Sequence, residues 1–209
     1  MAYKTTNPYT GEVLKEFETA TEAEVQQAIE SADNAFQQWK NVPVSERVQV
    51  LEKAAQILEE NKTEYAKILT TEMGKLLGEA ELEIDICIGM LRYYVKHGAE
   101  QLAPRFIAAA GFRDTDVALV NEPLGVLYAV EPWNFPYYQV IRISAPQFTA
   151  GNSLVLKHAS NVPQSALKMV ELFEQAGAPK GLLTNVFASH DAAETILADN
   201  RVRGVAPVS

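Results

Sequence analysis

The chain has 209 residues, 47% of them hydrophobic, one cysteine, and 18 basic against 27 acidic side chains for a net charge of −9. That length suffices for a self-supporting core, so neither a disulfide nor a structural metal is required, and one cysteine excludes an intrachain disulfide or a multi-thiolate zinc site. The acidic balance argues against a nucleic-acid partner, no apolar run reaches the roughly 18 residues of a membrane span, and Met1–Pro8 lacks the apolar stretch of a secretory signal, so a cytoplasmic protein is the expectation.

The first hundred residues read as mostly helical. Thr21-Glu22-Ala23-Glu24 fits a capping box, and behind it Val25, Ala28, Ile29, Ala32, Ala35 and Phe36 recur at three- and four-residue steps. Ser45 is a candidate cap for a second helix with Val48, Leu51, Ala55 and Leu58 on its buried face. A third helix spans about Thr63 to Met73 and breaks at Gly74. A fourth runs from Lys75 to about His97 with Leu82, Ile86, Met90 and Tyr93 inward, and Gly78 and Gly89 weaken it. The acidic cluster Glu79, Glu81, Glu83 and Asp85 reads as a solvated helix face, and Cys87 as a core or boundary thiol.

The character changes at Pro104. Arg105–Ala110 and Thr115–Val120 predict two short strands around Gly111. Strands and helices then alternate: strand Gly125–Val130, helix Tyr137–Ala150, strand Ser153–Leu156, helix Pro163–Ala176, strand Leu183–Phe187, helix Asp191–Ala198, and a strand from Val202 to Ala206. Apolar runs between helices are what a parallel sheet covered on both faces requires, so this half is a doubly wound α/β segment.

In such a sheet ligands bind beyond the carboxyl ends of the strands. Pro132-Trp133-Asn134-Phe135-Pro136 follows the first of these strands and Lys157-His158-Ala159-Ser160 the second. Asn134 carries an uncharged amide able to donate to an oxyanion, between prolines that restrict its backbone; it fits a turn residue as well, with Trp133 as packing. Lys157 can donate to ribose hydroxyls or be a solvated lysine. Arg142, among Val140, Ile141 and Ile143, can clamp a carboxylate or lie on the surface. No Gly-x-Gly-x-x-Gly or Walker loop occurs, and His97, His158 and His190 lack metal-ligand spacing, so no metal is expected; His190 beside Asp191 is a candidate helix cap.

Taken together these residues resemble the aldehyde dehydrogenase superfamily. The likeness rests on Pro132-Trp133-Asn134-Phe135-Pro136 after Glu122-Pro123-Leu124-Gly125-Val126, on Ala150-Gly151-Asn152 with Val155-Leu156-Lys157, and on Glu174-Gln175-Ala176-Gly177-Ala178-Pro179-Lys180-Gly181. Upstream, Asn7-Pro8-Tyr9-Thr10-Gly11-Glu12, Ala35-Phe36 with Trp39, and Glu72-Met73-Gly74-Lys75 fit as well, so the match runs from about Asn7 to Val205. The resemblance implies oxidation of an aldehyde to an acid through a thiohemiacetal and a thioester, with hydride passing to NAD or NADP. It assigns Asn134 to the oxyanion, and Trp133, Asn134, Lys157, His158, Ala159 and Ser160 to the cofactor cleft. Ser160 stands where NAD-preferring members often place a glutamate, which leaves room for a 2′-phosphate. Arg142 matches the carboxylate-binding arginine of the succinate-semialdehyde dehydrogenase branch, which points to a short semialdehyde.

The resemblance divides the chain into a helical part at 1–103, an oligomerisation-type hairpin at 104–122 that pairs subunits of a homo-oligomer, and a Rossmann-like cofactor-binding part at 123–209. Family members are more than twice as long, and their nucleophilic cysteine and general-base glutamate match nothing here; Cys87 is neither. A Thr-Gly-Ser stretch should follow Gly204-Val205-Ala206, but the sequence reads Pro207-Val208-Ser209. The expectation is therefore a frameshifted, truncated or deliberately cut chain, inactive by itself, whose alternative role is a non-catalytic nucleotide-binding or oligomerisation module.

Overall fold

The computed structural model describes residues 3–108, 111, 113 and 117–207. It opens with a feature the periodicity does not announce. β1 (Tyr3–Thr6) and β2 (Val13–Phe17) pair antiparallel across the Asn7–Gly11 turn, in which Gly11 adopts φ +73°. Asn7-Pro8-Tyr9-Thr10-Gly11 is turn chemistry, yet β2 is mostly exposed, so the alternation that marks a strand is faint.

Four helices follow. α1 (Glu22–Trp39) carries the expected capping box: Thr21 Oγ1 accepts from Glu24 N and Glu24 Oε2 accepts from Thr21 N at 2.8 Å. α2 (Val44–Glu60) starts after Pro43, so Ser45 lies inside the first turn and does not cap it. α3 (Lys62–Met73) ends at Gly74, whose φ of +76° makes the left-handed stop. α4 (Leu77–Leu102) is one helix of 26 residues, and a Cβ added at Gly78 or Gly89 would meet open space.

The inward face of α4 differs from the expected one. Its buried residues are Ala80, Glu83, Ile84, Cys87, Ile88, Leu91 and Gly98, whereas Leu82, Ile86 and Tyr93 are exposed and Met90 is partly buried. The helix has apolar stripes on two sides, and the one that faces the core includes a carboxylate, which a count of apolar residues rejects.

β3 (Arg105–Phe106) and β4 (Ala118–Leu119) pair antiparallel, with Ile107 N donating to Val117 O at 3.0 Å. Ala109, Ala110, Phe112, Asp114, Thr115 and Asp116 of the expected hairpin lie outside the described residues. The remaining strands, β5 (Val126–Glu131), β6 (Ser153–His158), β7 (Leu183–Asn185) and β8 (Val202–Pro207), form a parallel sheet in the order β7-β6-β5-β8. Between them run α5 (Pro136–Ala150), α6 (Pro163–Gln175) and α7 (His190–Ala198). The chain thus steps outward from β5 to β6 and β7, then returns to the other side of β5. Ser189, not His190, caps α7, accepting from Ala192 N at 3.1 Å.

Both sheet faces are covered. Leu127, Ala129, Leu154, Leu156 and Leu183 pack into the core built with α2 to α6. Val126, Tyr128 and Val155 face Val25 and Ile29 of α1 and Ile196 of α7. No helix among the described residues is long and apolar enough to cross a membrane.

Two buried glutamates join the helical part to the sheet. α5 and α6 begin with Pro136 and Pro163 and have no side-chain cap of their own. Glu83, on α4, accepts from Tyr137 N at 2.8 Å and Tyr138 N at 3.1 Å. Glu72, on α3, accepts from Gln164 N at 2.7 Å, Ser165 N at 2.8 Å, Ser165 Oγ at 2.7 Å and Thr5 Oγ1 at 2.6 Å. Each carboxylate thus satisfies orphan amides of a helix from another element and lies at its positive end. Glu83 is therefore a buried cap and not part of a solvated face; Glu79 and Asp85 are exposed as expected. The far end of α5 is pinned too, since Trp39 Nε1 donates to Phe148 O and Arg47 Nη1 to Thr149 O, both at 2.8 Å.

Glu72→Ala strips the acceptor from buried donors on two elements, so urea denaturation should show a loss of about 3 kcal/mol or more. Glu72→Gln, which keeps an acceptor, should lose less than half of that. Equal losses would show that the hydrogen bonds are not what Glu72 contributes.

Candidate functional site

The polar strand ends meet. Beyond the carboxyl ends of β5, β6 and β7 lies a cavity of about 240 Å³ lined by Tyr3, Trp133, Lys157, Ala159, Ser160, Asn161, Ala188, Ser189 and His190. Lys157 ends in a half-buried position, where burial lowers its pKa. The N-terminal hairpin forms part of the frame: Lys4 N donates to Ser160 O at 3.0 Å, and Tyr3 Oη donates to Ala188 O at 2.8 Å. Tyr3, Asn161, Ala188, Ser189 and His190, which also line the cavity, were absent from the sequence-derived set. The signal for the last two was their place after the third parallel strand, where the binding rule applies as it does to the first two.

His158 departs from the role the sequence resemblance gave it. Its ring is buried, Nδ1 accepts from Ala159 N at 2.8 Å, and Nε2 lies 3.0 Å from Pro136 O, a partner that can only accept. The ring is thereby fixed as the neutral Nε2–H tautomer, and burial lowers its pKa to about 4. Its side chain ties β6 to the start of α5 and does not line the cavity.

Asn134 sits exposed in the loop between β5 and α5, its carbonyl oxygen accepting from Lys75 Nζ at 3.1 Å. Its side-chain amide makes no hydrogen bond with the described residues. Arg142 is exposed on α5, outside the cavity lining. Cys87 is fully buried in α4, and burial followed by the charge of Glu83 raises its pKa well above the ordinary thiol value, so it is an inert core thiol. Among the described residues no group of His, Cys, Asp or Glu is placed to hold a metal ion.

The model of the aldehyde dehydrogenase family matches residues 1–208. The chain belongs to the aldehyde dehydrogenase family. It is 41% identical over 203 residues to a succinate-semialdehyde dehydrogenase [NADP(+)] from Deinococcus radiodurans, covering 97% of this chain and 42% of that protein. It is 38% identical to a probable enzyme of the same description from Synechocystis, covering 97% of this chain and 44% of that one. Among solved structures, succinic semialdehyde dehydrogenase from Streptococcus pyogenes in complex with NADP+ superposes with a TM-score of 0.94 at 40% identity, covering 99% of this chain and 45% of that one. The chain thus spans less than half the length of the relatives it matches.

A buried acid next to the β5–α5 loop was not foreseen. Glu131, the last residue of β5, immediately precedes the Pro132-Trp133-Asn134 loop; it is buried, and neither carboxyl oxygen has a hydrogen-bond partner among the described residues. Burial pushes its pKa up to about 8, against the opposing pull of the Arg142 charge. In sequence it reads as one more acidic residue at a strand end. Only its enclosure distinguishes it.

The native state therefore holds a proton on Glu131 that the unfolded chain releases above 4.5, and stability falls as pH rises toward about 8. His158 works in the opposite sense, since its buried neutral form favours folding above 6.5 and that contribution is lost as pH falls through 6.5 toward about 4. Between pH 6.5 and 8 the Glu131 contribution stands alone of the two, with a slope of at most about 1.4 kcal/mol per pH unit. Urea denaturation should show this decline in the native chain and its disappearance in Glu131→Gln. A decline of the same size in the variant would place its origin elsewhere.

Proposed function

We propose that these residues form the cofactor-binding part, with the oxyanion donor, of an NADP-dependent aldehyde dehydrogenase acting on succinate semialdehyde or a similar short semialdehyde. The observation that carries this reading is the cavity at three successive strand ends, with a half-buried Lys157 ammonium and the small neutral Ser160 side by side. A hydroxyl-bearing sugar with a phosphate fits that donor set, since Lys157 supplies charge and, among the described residues, no carboxylate lines the cavity to repel a 2′-phosphate. The relatives' description as NADP enzymes and the Streptococcus pyogenes complex with NADP+ support it.

In the reaction, Lys157 and Ser160 bind the adenosine end and Trp133 walls the cleft. Asn134 donates its side-chain N–H to the aldehyde oxygen as that atom gains negative charge, which lowers the barrier because the donor needs no reorganisation. Arg142, exposed on α5, receives the substrate carboxylate in this reading. The nicotinamide, when bound, supplies the hydride acceptor. Nucleophile and general base are not among these residues: the lone thiol, Cys87, is buried and protonated. These 209 residues alone therefore do not turn over aldehyde. The exposed Phe106, Ile107, Leu119 and Val120 on and beside the β3–β4 pair support subunit pairing in a homo-oligomer, and a cytoplasmic setting suits such an enzyme.

Calorimetric titration tests the cofactor reading. NADP+ should bind more tightly than NAD+, and Lys157→Ala should weaken NADP+ binding by about tenfold or more, the loss of one charge-assisted hydrogen bond. Ser160→Glu should reverse the preference. Equal affinities that neither substitution alters would overturn it. Steady aldehyde-dependent cofactor reduction that survives Cys87→Ala would contradict the assignment of the nucleophile to residues outside this chain.

A further inference from the structure

The capping of α5 differs from that of α6 in one respect. Glu72 caps α6 by accepting hydrogen bonds alone, and no lysine or arginine among the described residues pairs with it. Glu83 caps α5 with one oxygen and forms a buried ion pair with Lys75 Nζ through the other. A carboxylate in this fold caps a helix without a cation, so Lys75 is not needed for the cap.

What Lys75 adds lies in the loop before α5. It stands in the turn between α3 and α4, its side chain only 8% exposed, and its ammonium meets three groups. One is Glu83 Oε2, one is Asn134 O at 3.1 Å, and one is the Phe135 ring, whose centroid lies 3.9 Å away. Those contacts match the three donors of an ammonium: a carboxylate, a carbonyl and an aromatic face. Two of the three belong to the loop residues Asn134 and Phe135. The same Glu83 holds Tyr137 N and Tyr138 N, so one ion pair grips the chain on both sides of Pro136.

We propose that Lys75, oriented by Glu83, is a positioning residue for Asn134: it anchors the Asn134 carbonyl and the Phe135 ring so that the Asn134 side-chain amide points in a fixed direction. Lys75 touches no reacting atom. It acts through the backbone of the residue that does, and a donor aimed before the reaction is worth more than one that must be ordered during it. The functional meaning rests on the oxyanion role of Asn134; the anchoring itself is a property of the folded chain.

The competing explanation is that Lys75 merely neutralises a buried carboxylate. Two variants of the 209-residue chain separate the two, with backbone amide order parameters from nuclear magnetic resonance as the readout. In Lys75→Met the order parameters of Asn134 and Phe135 should fall from the rigid value of about 0.85 to below about 0.6, while those of α6 stay unchanged. That variant also leaves Glu83 buried without its cation and can lose stability for that reason alone. The double variant Lys75→Met with Glu83→Gln removes both charges and keeps an acceptor for Tyr137 N and Tyr138 N. If Lys75 positions the loop, the double variant recovers thermal stability but leaves Asn134 and Phe135 mobile. A rigid loop in the double variant shows charge neutralisation only and overturns the proposal, as does a rigid loop in folded Lys75→Met. Neither outcome involves aldehyde or cofactor, so the proposal and the oxidation reading fail separately.

Discussion

A helix that starts on proline after a phenylalanine or a valine has no side chain of its own to satisfy its first amides, and α5 and α6 both start that way. These are the helices that leave β5 and β6, so the strand-end loops that build the cleft are only as well placed as those helix starts. The chain meets the constraint with carboxylates borrowed from the helical half, Glu83 for α5 and Glu72 for α6. Each is buried, with backbone amides and a helix dipole converging on it, and Glu83 has the Lys75 ammonium as well. The helical half is thus more than a cover for the sheet, because it sets where the loops begin.

From that constraint the site follows outward. Glu83 and Lys75 hold residues 134–138 from below, His158 reaches across from β6 to the Pro136 carbonyl, and Trp39 and Arg47 fix the other end of α5. On the opposite side the N-terminal hairpin holds Ser160 and Ala188 through backbone and tyrosine hydrogen bonds. The cavity between is bordered by strand ends that rigid neighbours secure, which suits a binding site whose donors must be in place before a ligand arrives.

Much of this was legible in the sequence. The alternation of apolar strands and amphipathic helices after Pro104 gave the parallel sheet, because strands buried on both faces leave continuous apolar runs. Trp133, Lys157, Ala159 and Ser160, which line the cavity, could be singled out because a cleft at strand ends is a rule of topology and not of local pattern. The exposed β2 left too faint an alternation to read, and the buried polar residues stayed hidden for a different reason. Glu83 looks like its exposed neighbours Glu79 and Asp85, Glu131 like any strand-end acid, and His158 like a cleft residue, because burial of a polar group by distant elements leaves no trace in local periodicity. The same blindness turned α4 the wrong way: the stripe through Leu82, Ile86 and Tyr93 is as apolar as the true face, and only the partner helices distinguish them.

The central claim is that three strand ends of this chain together form a dinucleotide cleft framed by the borrowed caps. Titrating the isotopically labelled chain with NADP+ while following its amide and indole resonances tests it most directly. The account predicts shifts concentrated at the Trp133 indole, Lys157, Ser160, Ser189 and His190, with the amides around Cys87 unmoved. No perturbation, or shifts centred on α4 or on the exposed β3–β4 hairpin, would contradict it.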